Sequence, residues 1–204
     1  MEDLSNIVYS RNVVEFVAVG NEFCQLVENC TRYPSPQLID ITRKILPLLY
    51  YKASVITPVD RMLDEEIERY VTELDYNVLQ QKWLNKLGEY DLFHEVFDPE
   101  IQFGSESVTA SISEHILDIY QDIKDFVSAY NFGNEEVMND SLAECLDRFG
   151  TVWGQRLVNV QRALHQLSFS TINWDEPDLS NYKPGEEEPR QDKWIDRFFN
   201  RDSE

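Results

Sequence analysis

The stretch from Ser111 to Tyr130, SISEHILDIYQDIKDFVSAY, decides the fold class. Ile116, Ile119, Ile123, Phe126 and Tyr130 recur at three- and four-residue intervals, the spacing of one face of an α-helix. Ser111 and Glu114 stand in capping-box spacing, S-x-x-E, which marks where the helix begins. Asn131-Phe132-Gly133 marks where it stops. Opposite the apolar row lies an acidic one: Glu114, Asp118, Gln121 and Asp125 fall within about 80° of arc at 100° per residue, with Asp122 beside them. A polar row opposite an apolar row is what a surface helix needs, so this row is expected to be a solvated face.

Downstream, Asn134 is placed to cap a second long helix, with Glu135 and Glu136 favourable in its first turn. That helix is expected to run unbroken to about Leu167. Phe149, Trp153, Leu157, Val160 and Leu164 form its apolar stripe. Arg156 flanks the stripe and Arg162 points largely away. Gly154 in mid-helix costs about 1 kcal/mol relative to Ala, which asks for a close approach to the backbone.

Upstream, Val13, Phe16, Val17, Gly20, Phe23, Cys24 and Val27 predict a helix from about Ser10 to Cys30. Tyr33-Pro34-Ser35-Pro36 separates it from the next, with Ser35 in capping position and Pro36 at the first helical position. This second helix is expected to reach about Lys52, with a kink or early stop at Pro47. Thr57-Pro58 breaks the chain, and a third helical stretch is predicted from about Asp60 to Leu87, splitting near Asp75. Gly88 is placed as a C-cap. Residues 89–110 are the least periodic, with turns at Asp98-Pro99 and Gly104-Ser105. Val108, Ala110 and Ile112 alternate with polar residues and predict a short extended piece. Residues 1–170 therefore read as one all-α domain, an antiparallel bundle of five or six helices.

The composition changes after Ser170. Residues 173–204 hold ten acidic and five basic residues and three prolines. Residues 171–204 read as an acidic extended tail. It carries one island in which Trp194, Ile195, Phe198 and Phe199 share a helical face, a short amphipathic anchor helix. Four large apolar side chains want burial worth about 1.5–3 kcal/mol each, against the chain's own bundle or a partner.

Three segments resemble a known family. They are Glu95-Val96-Phe97-Asp98-Pro99, then Ile112-Ser113-Glu114 leading to Asp118-Ile119-Tyr120-Gln121-Asp122-Ile123, then Trp153-Gly154 leading to Arg162-Ala163-Leu164-His165. Their order and spacing, over about residues 10–168, are similar to the bacterial domain-of-unknown-function family numbered 5063. The resemblance implies an all-helical bacterial domain. It brings no catalytic residue with it.

The charge narrows the partners. Lys and Arg number 18 against 38 Asp and Glu, a formal charge of −20. Such a chain lacks the cations that release phosphate counterions, so nucleic acid is not an expected partner. Anionic membrane surfaces repel it, and no apolar run is long enough to span a bilayer. The acidic start, Met1-Glu2-Asp3, predicts no signal peptide. Cys24, Cys30 and Cys145 form no CxxC motif and read as thiols in a reducing compartment, so the expected location is the cytoplasm.

Candidate chemistry is sparse. Carboxylates of the acidic row could hold Mg²⁺ or Ca²⁺, and Glu65-x-x-Glu68 with Glu144-x-x-Asp147 mimics the paired motifs of helical nucleotide pyrophosphatases. The two pairs stand far apart in sequence, and the abundance of acids makes such pairs common. His94, His115 and His165 form no metal-binding pattern. Nucleophile-elbow, P-loop and dinucleotide glycine patterns are absent. Asp118, Asp122, Trp153 and Arg156 form a candidate pocket, with an arginine–carboxylate pairing between helices as the structural alternative. No metal or cofactor is expected. The favoured reading is a noncatalytic interaction or adaptor protein with a protein partner. The alternative is a metal-dependent hydrolase of a nucleotide or other phosphorylated small molecule.

Overall fold

A computed structural model describes residues 4–64, 67–95, 109–131, 134–172 and 174. One compact unit spans Met1–Asn173. The anticipated tail helix, with Trp194, Ile195, Phe198 and Phe199, lies outside the described residues. So do Glu65, Asp98-Pro99, Gly104-Ser105, Val108 and Phe132-Gly133.

The fold is all-α. Among the described residues a five-residue helix, α1 (Leu4–Val8), precedes six longer ones. They are α2 (Arg11–Glu28), α3 (Ser35–Ser54), α4 (Glu73–Leu87), α5 (Ile112–Tyr130), α6 (Glu135–Arg148) and α7 (Gly154–Ser168). The deciding helix α5 sits at the centre and packs against α2, α4, α6 and α7, while α3 bridges α2 and α7. Its Ile112, Ile116, Ile119, Ile123 and Phe126 are all buried, as their spacing requires. Ser111 caps it by accepting from the Glu114 N–H at 3.1 Å, and Asn134 caps α6 by accepting from Glu136 at 2.9 Å. At Gly20, α2 and α5 approach so closely that a Cβ would lie 3.0 Å from Val127 Cγ2 and 3.1 Å from Ile123 Cγ2.

Several sequence expectations are not met. Helix α3 runs through Pro47, so of the kink or early stop expected there the stop does not occur. Its N-cap is Pro34, because the Ser35 hydroxyl donates to the Lys86 carbonyl at 2.8 Å instead of capping. The anticipated third helix begins only at Glu73, where Thr72 and Asp75 build a capping box, and no helix is formed by the described part of residues 57–71. The described residues of that segment, 57–64 and 67–71, form a strap across α5 and α6. Finally, the helix expected from Asn134 to Leu167 is interrupted by a wider turn, Phe149–Trp153, between α6 and α7. Here the Gly154 N–H donates to the Phe149 carbonyl five residues back, and a Cβ on Gly154 would collide with that same oxygen. The close approach asked for at Gly154 is therefore made by its own chain.

Gly88 ends α4 with φ at 56°, the left-handed region that glycine enters without steric cost. A short antiparallel ladder follows, β1 (Leu92–His94) with β2 (Thr109–Ser111), Phe93 facing Ala110. It delivers the chain into α5. Asp91 secures that junction: fully desolvated, it accepts from Ser111 Oγ, Ser113 Oγ and the Ser113 N–H.

Candidate functional site

The acidic row of α5 is solvated only in part. Glu114 is exposed and Asp118 and Gln121 are half-buried, but Asp122 and Asp125 are only 5% and 4% exposed. Asp118, Asp122 and Asp125 each have a designated counterpart. Asp118 accepts the Tyr76 hydroxyl at 2.8 Å and pairs with Arg156 of α7. Asp122 pairs with Arg148 of α6 through Oδ1. Burial pushes the Asp122 carboxyl above the usual carboxylate range; Arg148 opposes the shift and the Asp125 charge adds to it.

Asp125 and its α6 counterpart Asp140 do something different: they hold backbone. Asp140, with no exposed surface, accepts the consecutive N–H groups of Met62 and Leu63, both at 2.8 Å. Asp125 accepts those of Tyr70 and Val71 at 2.7 and 3.1 Å. The arginine immediately before each amide pair leans on the same carboxylate, Arg61 at 3.9 Å from Asp140 and Arg69 at 3.5 Å from Asp125. Arg69 also pairs with Glu144. Asn139 completes the grip by donating to the Asp60 carbonyl at 2.9 Å. The unit "arginine, then two amides, on one buried aspartate" thus occurs twice, eight residues apart in the strap. Ionised acceptors make such hydrogen bonds short and strong, and they satisfy amides that no helix or sheet would otherwise satisfy.

Under the strap lies a small cleft, bordered by Ile67 on one side and by Asp122, Asp125, Ser141 and Glu144 on the other. Oδ2 of Asp122 and Oδ2 of Asp125 are buried with no hydrogen bond, the latter having only the 3.5 Å approach of Arg69.

Of the four residues anticipated as a pocket, Asp118 and Arg156 meet, and Asp122 sits one turn along α5 with Arg148. Trp153 is apart from them in the core, fully buried, its ring 4.7 Å from that of Phe149 and 6.4 Å from that of Phe16. Its indole N–H donates to the Cys145 carbonyl at 2.9 Å. His115 bonds Glu95 at 3.1 Å, and Asn159 donates to the same carboxylate oxygen. His165 lies against Phe169, ring centroids 4.7 Å apart. Glu144, anticipated as half of a carboxylate pair, is taken by Arg69. Among the described residues no group of three His, Cys, Asp or Glu side chains is arranged to hold a metal ion. No helix among them is long and apolar enough to cross a membrane.

Sequence reading missed Asp140, Asn139 and the strap arginines. The signal was there in part: Arg61-Met62-Leu63 and Arg69-Tyr70-Val71 repeat an arginine followed by two apolar residues at a spacing of eight.

A crystal structure of a Bacteroides fragilis protein, determined by a structural genomics consortium, is similar to this chain at 43% identity and a TM-score of 0.72. The match covers 80% of this chain and 96% of that one. No curated protein matches. Residues 7–170 match the model of the domain of unknown function DUF5063, so the chain belongs to that family.

Proposed function

We propose that this protein is a noncatalytic interaction module of the cytoplasm, and that its tail island engages a protein partner. The observation that supports this most is the occupation of the bundle's inward carboxylates. A metal-dependent hydrolase would need Asp118 and Asp122 for cation binding, and they are held by Arg156, Tyr76 and Arg148. A divalent ion at either would have to displace a guanidinium. The acidic balance of the chain, 38 acids against 18 bases, favours partners with basic surfaces. Trp194, Ile195, Phe198 and Phe199 supply the apolar anchors such a contact requires, in the helix-in-groove manner.

The test is chemical cross-linking with mass spectrometry in cells expressing the full chain or its Trp194→Ala/Phe198→Ala variant. The expected result is a discrete partner cross-linked through the tail of the wild type and lost from the variant. Identical cross-links from both would remove the island from the function. Mg²⁺- or Mn²⁺-dependent hydrolysis of a phosphoanhydride that disappears in Asp118→Asn would replace the interaction reading with the hydrolase one.

A further inference from the structure

We propose that the strap, residues 57–71, is an imperfect intramolecular ligand of the α5–α6 face, and that an extended, arginine-bearing segment of a partner protein displaces it. This rests on the interaction reading above and adds a second binding surface and its regulation.

Three observations carry the inference. The receptor half is rigid and built: Asp125, Asn139 and Asp140 are all buried, on two helices of the core. It recognises backbone amides and an adjacent guanidinium, not particular side chains, since Met62 is 53% exposed while its N–H is bound. Next, the ligand half is shallow. Of the described strap residues only Val71 is buried, so the strap is attached by polar contacts that an incoming segment can exchange one for one. Lastly, the fit is incomplete. Where the strap crosses Asp122 it presents Ile67, and Oδ2 of Asp122 keeps no donor although its side chain is only 2% exposed. Among the described residues four carboxylates (Asp122, Asp125, Asp140 and Glu144) face three guanidiniums (Arg61, Arg69 and Arg148).

A better ligand follows from that mismatch. It is an extended segment with two arginines eight residues apart, each followed by two residues other than proline, and with a cationic donor in place of Ile67. Such a segment supplies the missing donor to Asp122 and outcompetes the strap. The surplus of acid across the whole chain favours the approach of a basic segment of this kind.

The experiment uses the full-length protein and two labelled peptides, one with the strap sequence 57–72 and one with the same sequence carrying Ile67→Lys. Both are expected to bind saturably, the second about tenfold more tightly, which is the order expected for satisfying one buried charged acceptor. Binding of both should weaken when the protein's own strap carries Ile67→Lys, because the intramolecular ligand then competes better. In the free protein the amides of Met62, Leu63, Tyr70 and Val71 should exchange with solvent at least tenfold faster than those inside α5, which marks local opening. Strap amides that exchange only as fast as the α5 interior would overturn the proposal, and so would equal affinity of, or no binding by, the two peptides. A concentration-dependent dimer in which straps are exchanged would also overturn it, by giving the face to a second copy of this chain. Loss of the tail-dependent cross-link alone leaves these readouts unchanged, so the two proposals fail separately.

Discussion

The guanidinium of Arg69 lies 3.5 Å from Asp125, the carboxylate that also receives the two amides following it in the chain. One buried charge thereby orders three successive residues of an otherwise extended segment. Replacing Asp125 by Ala removes the acceptor for two amides and strands Arg69 beside Glu144 alone. Each lost bond to a charged acceptor is worth about 1.5–3 kcal/mol, so Asp125→Ala is expected to lower stability by roughly 2–4 kcal/mol in urea unfolding. Asp125→Asn keeps one carbonyl acceptor and should lose about half as much. Equal losses would show that the charge of the clamp is irrelevant.

Gly154→Ala tests the wide turn between α6 and α7. Helix propensity alone would reward the change by about 1 kcal/mol. The new methyl group meets the Phe149 carbonyl and ring, and that turn cannot move without shifting Trp153 off Phe16. The net expectation is a loss of about 1–3 kcal/mol, read from the same unfolding curves. A gain would mean that the turn relaxes to an ordinary α-helical one.

Asp122 predicts a pH effect of defined sign. Its folded-state pKa is raised, chiefly by burial, so the folded chain binds this proton more tightly than the unfolded chain does. Stability linked to it is gained as pH falls through the folded value towards the ordinary Asp range, and lost as pH rises back through it. Other carboxylates titrate nearby, so the measurement is a difference. The stability of wild type minus that of Asp122→Asn should grow on acidification through this window. A difference that shrinks would mean that Arg148 outweighs burial.

Ser111→Ala should cost more than an ordinary cap. The hydroxyl both caps α5 and donates to the desolvated Asp91 at 2.6 Å. A cap alone is worth about 1 kcal/mol, and the added loss at Asp91 brings the expectation to about 2 kcal/mol. Asp91→Asn combined with Ser111→Ala should lose less than the sum of the single changes, because the two act on the same bond.

Helices α2, α3, α5 and α6 were legible because their apolar residues repeat at the helical period and their starts carry local signals such as Ser111 and Asn134. The strap was not legible, and Leu63, Ile67, Tyr70 and Val71 show why. They stand at i, i+4, i+7 and i+8, the pattern of an amphipathic helix. The sequence neighbourhood argues for helix, and carboxylates more than fifty residues further along the chain overrule it. The same non-local contact explains the acidic row. Asp118, Asp122 and Asp125 have the composition of a wet face, and only the placement of Arg156, Arg148 and Arg69 across from them half-buries the first and dries the other two. Trp153 and Gly154 stood out individually, but the insertion of one extra residue per turn at Phe149–Trp153 has no composition of its own.

Because Asp125 and Asp140 hold amide hydrogens and not side chains, the clamp itself asks nothing of the side chains at four positions of the strap. Met62, Leu63, Tyr70 and Val71 can be exchanged for other residues without losing the bond that fixes them. The exception is proline, which has no amide hydrogen to offer. Across relatives that keep both aspartates, exposed Met62 should therefore vary widely and buried Val71 stay apolar, with proline excluded from all four sites.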